Sequence, residues 1–222
     1  MNKKLFFKGR RILITAGSTW AAIDDVRVIT NIFGGALGVC IAEEALKYGA
    51  NVTLLLGPGR VQPPENSKHF KVITFKYYDE LLSLVTTHVS SGKYDIMIHS
   101  AAVTDYIPLR KVQGKIKSTL GEMTIHLKKT IKIVDLVKKL NPTIFLVKFK
   151  LEAGLSEREL LAIAHRSMQS SMADLIVAND FNKMAKEHRA YIIDDKKHVT
   201  RCDTKRHIAK ALLVTIAKKL HG

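Results

Sequence analysis

Short apolar runs alternate along the chain with longer stretches of helical spacing, and this alternation predicts the architecture. Residues 11–16 (Arg-Ile-Leu-Ile-Thr-Ala) read as a buried strand, as do 51–56, 71–75, 94–99, 143–149 and 174–178. Leu37, Ile41, Ala45 and Tyr48 recur on one face of a helix over 34–48, closed by Gly49. Leu81, Leu82 and Val85 do the same for 78–89. Ile133, Leu136, Val137 and Leu140 place a helix over 131–140, which Pro142 ends. Ser156 caps another, with Glu157 and Glu159 favourably placed in its first turn. Ile208, Leu212 and Ile216 mark a final helix over 204–220. Residues 123–127 alternate as a strand, and 190–193 with 198–202 form a hairpin. The pattern predicts an α/β fold: a Rossmann-like, mostly parallel sheet with helices on both faces, plus a C-terminal strand pair. No repeat or low-complexity tract interrupts it, so residues 1–222 are expected to form a single domain.

Two stretches break the rhythm. Residues 18–30 are a polar excursion between the first strand and its helix, where a βα loop of about 2–6 residues is usual. Residues 103–120 have no period and carry Lys111, Lys115 and Lys117 around Gly114, which predicts a basic flap at about 106–120. Between excursion and helix lies Asn-Ile-Phe-Gly-Gly-Ala-Leu-Gly, residues 31–38. Glycines there let backbone N–H groups approach a ligand at the positive end of a helix, a place for an anion.

Composition narrows the function classes. At 222 residues, 46% hydrophobic and 25% charged, the chain is an ordinary globular one. The net charge of +16 is dispersed, without a nucleic-acid motif, so most cations form solvated faces and a minority serve an anionic small molecule; nucleic acid is not expected. No apolar run reaches the roughly 18 residues of a membrane span. Lys8, Arg10 and Arg11 interrupt the N-terminal apolar stretch, which makes it a poor signal peptide. Cys40 and Cys202 lie far apart without metal spacing, so a reduced, cytoplasmic setting is expected.

Several chemistries fail on detail. The glycines after the first strand do not fall as G-x-G-x-x-G, and the second strand ends in Gly57-Pro58 where a ribose-binding acid would stand, against a dinucleotide site. The histidines are scattered, His99 reads as a hydrogen-bonded core residue, and no metal ligands can be assigned. Cys40 falls on an apolar helix face, where a thiol acts as a small hydrophobe. The informative residues cluster at the carboxyl ends of the strands: Gly17, Ser18 and Asn31 after the first, Ser100 to Asp105 after the fourth, and Lys115 on the flap. Asp105 can hold Mg²⁺ or ribose hydroxyls, Lys115 can neutralise charge at phosphorus, and Asn31 can orient a carbonyl or amine. Taken singly, each has a plainer reading: a turn acid, a solvated lysine and a helix-entry cap.

Together these segments resemble the phosphopantothenoylcysteine synthetase family in its stand-alone form. The resemblance is carried by Ile14-Thr15-Ala16-Gly17-Ser18-Thr19, Ile23-Asp24, Val26-Arg27, Ile29-Thr30-Asn31, Gly35 and Gly38. It continues through Ser100-Ala101-Ala102-Val103-Thr104-Asp105-Tyr106, Lys115-Ile116-Lys117, Leu127-Lys128-Lys129-Thr130, Phe149-Lys150-Leu151-Glu152 and Ala173 to Asp180, in family order. It implies a ligase of coenzyme A biosynthesis that joins 4'-phosphopantothenate to cysteine through an acyl-nucleotide. CTP is expected ahead of ATP as co-substrate, with Mg²⁺, in a homodimer. Asn31 and Lys115 match catalytic positions. Ser100, Ala101, Asp105, Lys115, Thr130, Ile131, Lys132, Ile133, Phe149 and Arg166 match nucleotide-binding positions, and Gly17, Ser18, Asn31, Gly34 and Gly35 substrate-binding ones. The alternative is a degenerate, non-ligating binding protein of the same fold.

The departures lie in the phosphate contacts. Phe33, Gly34, Gly35 and Ala36 stand where the family carries two hydroxyl residues, a glycine and a lysine or arginine. A lysine pair on the helix before Asp174 is reduced to Arg166 with Ser170 or Ser171, a glutamate near Ala21 is absent, and Ile131 replaces a proline. Arg27, Arg60 or Lys150 are candidates to substitute for the lost charge.

Overall fold

A computed structural model of the chain describes residues 5–119, 121–183 and 189–221. Its centre is an eight-stranded sheet in the order β12-β11-β10-β9-β6-β1-β4-β5. The strands are β1 (Arg11–Ala16), β4 (Asn51–Leu56), β5 (Phe70–Thr74), β6 (Ile96–His99), β9 (Phe145–Glu152), β10 (Leu175–Asp180), β11 (Ala190–Asp194) and β12 (Val199–Cys202). From β5 across to β10 every neighbouring pair is parallel. The expected C-terminal pair is present as β11 and β12, which extend the sheet antiparallel to β10 and to each other.

Burial on both faces explains why the central strands are continuous apolar runs. Ile12, Ile14, Leu54, Ile98 and Val147 face one layer of helices, α1 (Ala36–Lys47) and α5 (Lys205–His221). Leu13, Leu55, Met97 and Leu146 face the other, α2 (Tyr78–Ser90), α3 (Val134–Leu140) and α4 (Glu157–Ser170). Fully buried leucines and isoleucines in such layers each contribute on the order of 2–5 kcal/mol against truncation to alanine. The α4 start is a capping box: Ser156 Oγ accepts from the Glu159 N–H at 3.3 Å, and Glu159 accepts from the Ser156 N–H at 3.0 Å.

Three expectations are corrected. The polar excursion contains a small antiparallel hairpin, β2 (Trp20–Ala22) with β3 (Val28–Thr30). The strand expected over 123–127 is instead β8 (Leu127–Lys129), because its partner β7 (Tyr106–Pro108) takes up the start of the presumed flap and sets the register Tyr106↔Lys129. The third helix starts at Val134 rather than 131, since Tyr78 Oη donates to the Ile131 carbonyl at 2.7 Å and holds 130–133 as a turn.

Topology locates the site. After β1 the chain moves outward through β4 and β5, then returns to β6 on the other flank of β1. That reversal opens a crevice beyond the carboxyl ends of β1 and β6. Among the described residues no helix is long and apolar enough to cross a membrane.

Candidate active site

A cavity of about 680 Å³ occupies this crevice. Its first wall comes from the ends of β1 and α1 and is made of backbone. Gly35 caps α1 in the left-handed conformation at φ +86°, and a Cβ there would meet the Gly17 nitrogen at 2.7 Å. Gly38 packs α1 directly on β1, where an added Cβ would collide with the Ala16 methyl and approach Ser100 Oγ to 2.8 Å. The first turn of α1 carries no acidic residue, so its unpaired N–H groups leave a positive end facing the cavity.

Asn31 ends the β2–β3 excursion at the cavity rim. Its Nδ2 donates to the Ala102 carbonyl at 3.1 Å, which leaves the amide oxygen free for a ligand. The Ala102 N–H in turn donates to the Gly17 carbonyl at 2.8 Å, so the loops after β1 and β6 are locked to each other.

The second wall carries side chains. Thr130 Oγ1 donates to the Thr104 carbonyl at 2.8 Å and the Thr130 N–H to the Asp105 carbonyl at 2.9 Å, which sets Asp105 beside the 130–133 turn. Ser100, Ala101, Asp105, Thr130, Ile131, Lys132, Ile133 and Phe149 all line the cavity with Gly17, Asn31, Gly34 and Gly35. Three of the sequence-derived candidates, Ser18, Arg166 and Lys115, do not line it. Ser18 is buried and donates to the Phe33 carbonyl at 2.6 Å, where it shapes the glycine turn from behind. Arg166 points outward from α4, and its neighbour Ser167 lines the cavity instead.

Lys115 is exposed on the flap between β7 and β8, outside the lining, but the backbone on both sides of it is clamped to the β2–β3 hairpin. The Gly114 N–H donates to Asp25 at 2.7 Å and the Ile116 N–H to Asp24 at 3.0 Å, while the Arg27 guanidinium reaches the Ile116 carbonyl at 3.2 Å. Burial would raise the Asp24 carboxyl, yet the N–H groups of Ile116, Val26 and Arg27 and the Arg27 guanidinium outweigh it and hold Asp24 far below the usual range. Asp24 is therefore a permanent anion that fixes the base of the flap.

Sequence reasoning missed Lys148 and Lys205, which also line the cavity. Lys148 had a visible signal, a lysine inside the apolar run of β9. Its ammonium lies against α4, donating to the Ser167 carbonyl at 2.9 Å and Ser171 Oγ at 3.1 Å. Burial pushes Lys148 below an ordinary lysine, although Asp135 nearby opposes the shift. Burial, then the Lys148 charge, lowers His99 to about 4, so its ring is neutral and shares a 3.0 Å hydrogen bond with Thr15 Oγ1. Among the described residues no cluster of three or more His, Cys, Asp or Glu side chains could hold a metal ion alone.

The family model described as DNA/pantothenate metabolism flavoprotein C-terminal domain matches residues 7–220. The chain belongs to this family. Among the relatives of this chain is the Coenzyme A biosynthesis bifunctional protein CoaBC of Thermococcus kodakarensis. It is 39% identical over 217 residues, covering 96% of this chain and 52% of that protein. The chain thus spans about half the length of the curated relatives it matches. A solved DNA/pantothenate metabolism flavoprotein from Streptococcus pneumoniae is 35% identical with a TM-score of 0.86, covering 95% of this chain and 99% of that one. The solved C-terminal domain of a CoaBC protein is 28% identical with a TM-score of 0.80, covering 97% and 98%. The flavoprotein C-terminal domain fold is therefore shared from β1 to α5.

Proposed function

We propose that this chain is a phosphopantothenate–cysteine ligase. The observation that carries the proposal is that one cavity joins two unlike walls. The glycine turn with Asn31 stands on one side and Asp105 with the 130–133 turn on the other, and Phe149, packed on the α1 side of the sheet, lines the same cavity. Such a crevice suits a bisubstrate reaction, in which most of the catalysis is positioning and charge neutralisation. The carboxylate of 4'-phosphopantothenate attacks the α-phosphorus of a nucleoside triphosphate, forming an acyl-nucleotide and releasing pyrophosphate. The cysteine amine then attacks the acyl carbon and the nucleoside monophosphate leaves.

In this reading the α1 start receives the phosphopantothenate, and the free amide oxygen of Asn31 orients the acyl group or the incoming amine. Lys115 closes with the flap over the nucleotide and offsets charge on the phosphates, guided by its clamp on Asp24 and Asp25. Among the described residues, Asp105 is the one carboxylate of the lining. It fits ribose hydroxyls, or a Mg²⁺ that is held chiefly by the triphosphate, as this ion usually is. Bound there, Mg²⁺ would neutralise phosphate charge. CTP is proposed ahead of ATP, in a homodimer working in the cytoplasm.

The test is pyrophosphate release from CTP or ATP in the presence of 4'-phosphopantothenate and cysteine. Release that requires all three substrates is expected. Folded protein that binds nucleotide but releases nothing with either one overturns the ligase reading in favour of a non-ligating binding protein, a reading that Phe33 and Ala36 in the anion turn would then explain.

A further inference from the structure

Lys148 is the most unusual polar group in the described structure. It is 6% exposed, on a strand whose preceding residues are all core, and it lines the cavity. An ammonium has three N–H donors. Two are taken by the Ser167 carbonyl of α4 and by Oγ of Ser171, which caps that helix, at 2.9 and 3.1 Å. No third acceptor lies in hydrogen-bond range among the described residues. The nearest carboxylate oxygen, Asp135 Oδ1, is 3.9 Å away and is itself buried without a hydrogen-bond partner.

The surroundings decide what the third donor can take. Asp135 from the first turn of α3 and the carbonyl end of α4 already balance the ammonium. A phosphate brought here would gain from Lys148 but be repelled by both. A neutral acceptor meets no such repulsion. The same lining includes the apolar Val103, Ile133 and Val134, which suit a flat ring. Lys132 and Lys205 line the same cavity and are available to the phosphates.

We propose that Lys148 reads the base of the bound nucleotide, donating its remaining N–H to a ring nitrogen or carbonyl oxygen on the base edge. This rests on the nucleotide-consuming reading above, and makes Lys148 a specificity residue rather than a phosphate anchor. A site that satisfies a buried donor with one base edge rejects a base that leaves it unpaired.

The test is calorimetric titration of wild type, Lys148→Met and Lys148→Arg with CTP, ATP, UTP, GTP and inorganic triphosphate. Lys148→Met is expected to weaken the preferred nucleotide about tenfold or more and to compress the spread among the four to about threefold, leaving inorganic triphosphate unchanged. Lys148→Arg keeps the charge and moves the donors, so it should alter the order of preference while triphosphate binding holds; it also serves if Lys148→Met does not fold. An equal loss for inorganic triphosphate would make Lys148 a phosphate contact and overturn the proposal. Unchanged nucleotide affinities would leave it a tether for α4 and overturn it too. Binding is read without turnover. A wild type that binds nucleotide through Lys148 yet releases no pyrophosphate overturns the ligase reading alone, and one that binds no nucleotide overturns both.

Discussion

The two walls of the cavity hold their shapes by opposite means. The α1 wall is backbone packed on backbone: Gly35 against Gly17 and Gly38 against Ala16, with Phe33 and Ala36 contributing no charge. The α3–α4 wall is held by side chains, with Lys132, Lys148 and Lys150 presented by a turn and a strand. A wall of N–H groups is preorganised and costs little to keep in place, but it has no room to change. A wall of lysines can be altered one charge at a time. The first should fail when an atom is added and the second when a charge is removed.

Lys115 gives the widest test of the charged side. Its side chain is exposed, but Asp24, Asp25 and Arg27 fix the backbone around it. Lys115→Gln keeps those backbone contacts and deletes only the cation. The expected result is a loss of about 10²–10³ in the rate of acyl-nucleotide formation, the scale for removing one preorganised electrostatic contact. Quenched-flow detection of the intermediate would measure it. A loss under tenfold would mean that the backbone wall does most of the positioning and that the flap lysine is a solvated one.

His99 separates the walls, since it sits at the end of β6 beside Lys148. Its ring titrates at about 4 when folded, because burial and then the Lys148 charge disfavour the cation. Unfolded, it returns to about 6.5. The unfolded chain therefore binds more protons between those values, so this contribution to stability is complete above about pH 6.5 and is lost as pH falls towards 4. The loss is about 3 kcal/mol over that window, read from denaturant midpoints at successive pH values. His99→Gln should flatten that segment of the profile. If the slope persists in the variant, another group is its source and His99 does not carry this pH dependence.

Gly38→Ala is the counterpart for the backbone wall. The added methyl must push α1 off β1, with an expected destabilisation of about 1–3 kcal/mol in thermal or chemical unfolding. Phosphopantothenate binding should fall with it, and nucleotide binding should be largely spared. Equal loss of both ligands would show that the walls move as one unit.

The same contrast decides what could be read from the sequence. Central strands such as β1, β4 and β10 are legible because both faces are buried and the apolar run is continuous. The short pairs β2–β3 and β7–β8 are not, since three-residue strands are defined by their pairing, local for Trp20 with Thr30 and distant for Tyr106 with Lys129, rather than by their own pattern. In the site, the glycine turn is legible because a close backbone approach demands residues without side chains. Lys205 carries no local signal: α5 reads as an amphipathic helix, and only tertiary packing brings its first residue to the cavity. Arg166 and Ser167 differ by one position on a helix, about 100° of rotation, which a motif drawn without a register cannot resolve.

The smallest effect is expected at Lys150, and it refines what a charged wall means. Lys150 lines the cavity and lies two residues beyond Lys148 on the same strand, so both side chains project from one face of the sheet. The resemblance in sequence makes it a natural substitute for a missing phosphate contact. Its ammonium, however, is 2.8 Å from the Glu152 carboxylate, and both side chains are about one-third exposed. A pair of this kind is screened by water and contributes at most about 1 kcal/mol, so a phosphate gains little from a cation that already has a partner. Lys150→Met should therefore change nucleotide KM by less than about fivefold, the equivalent of that ceiling. Glu152→Gln would free the ammonium and should tighten triphosphate binding slightly, by a similar factor at low salt. If Lys150→Met instead costs as much as Lys148→Met, the number of cations on the wall matters more than whether each is balanced by a neighbour.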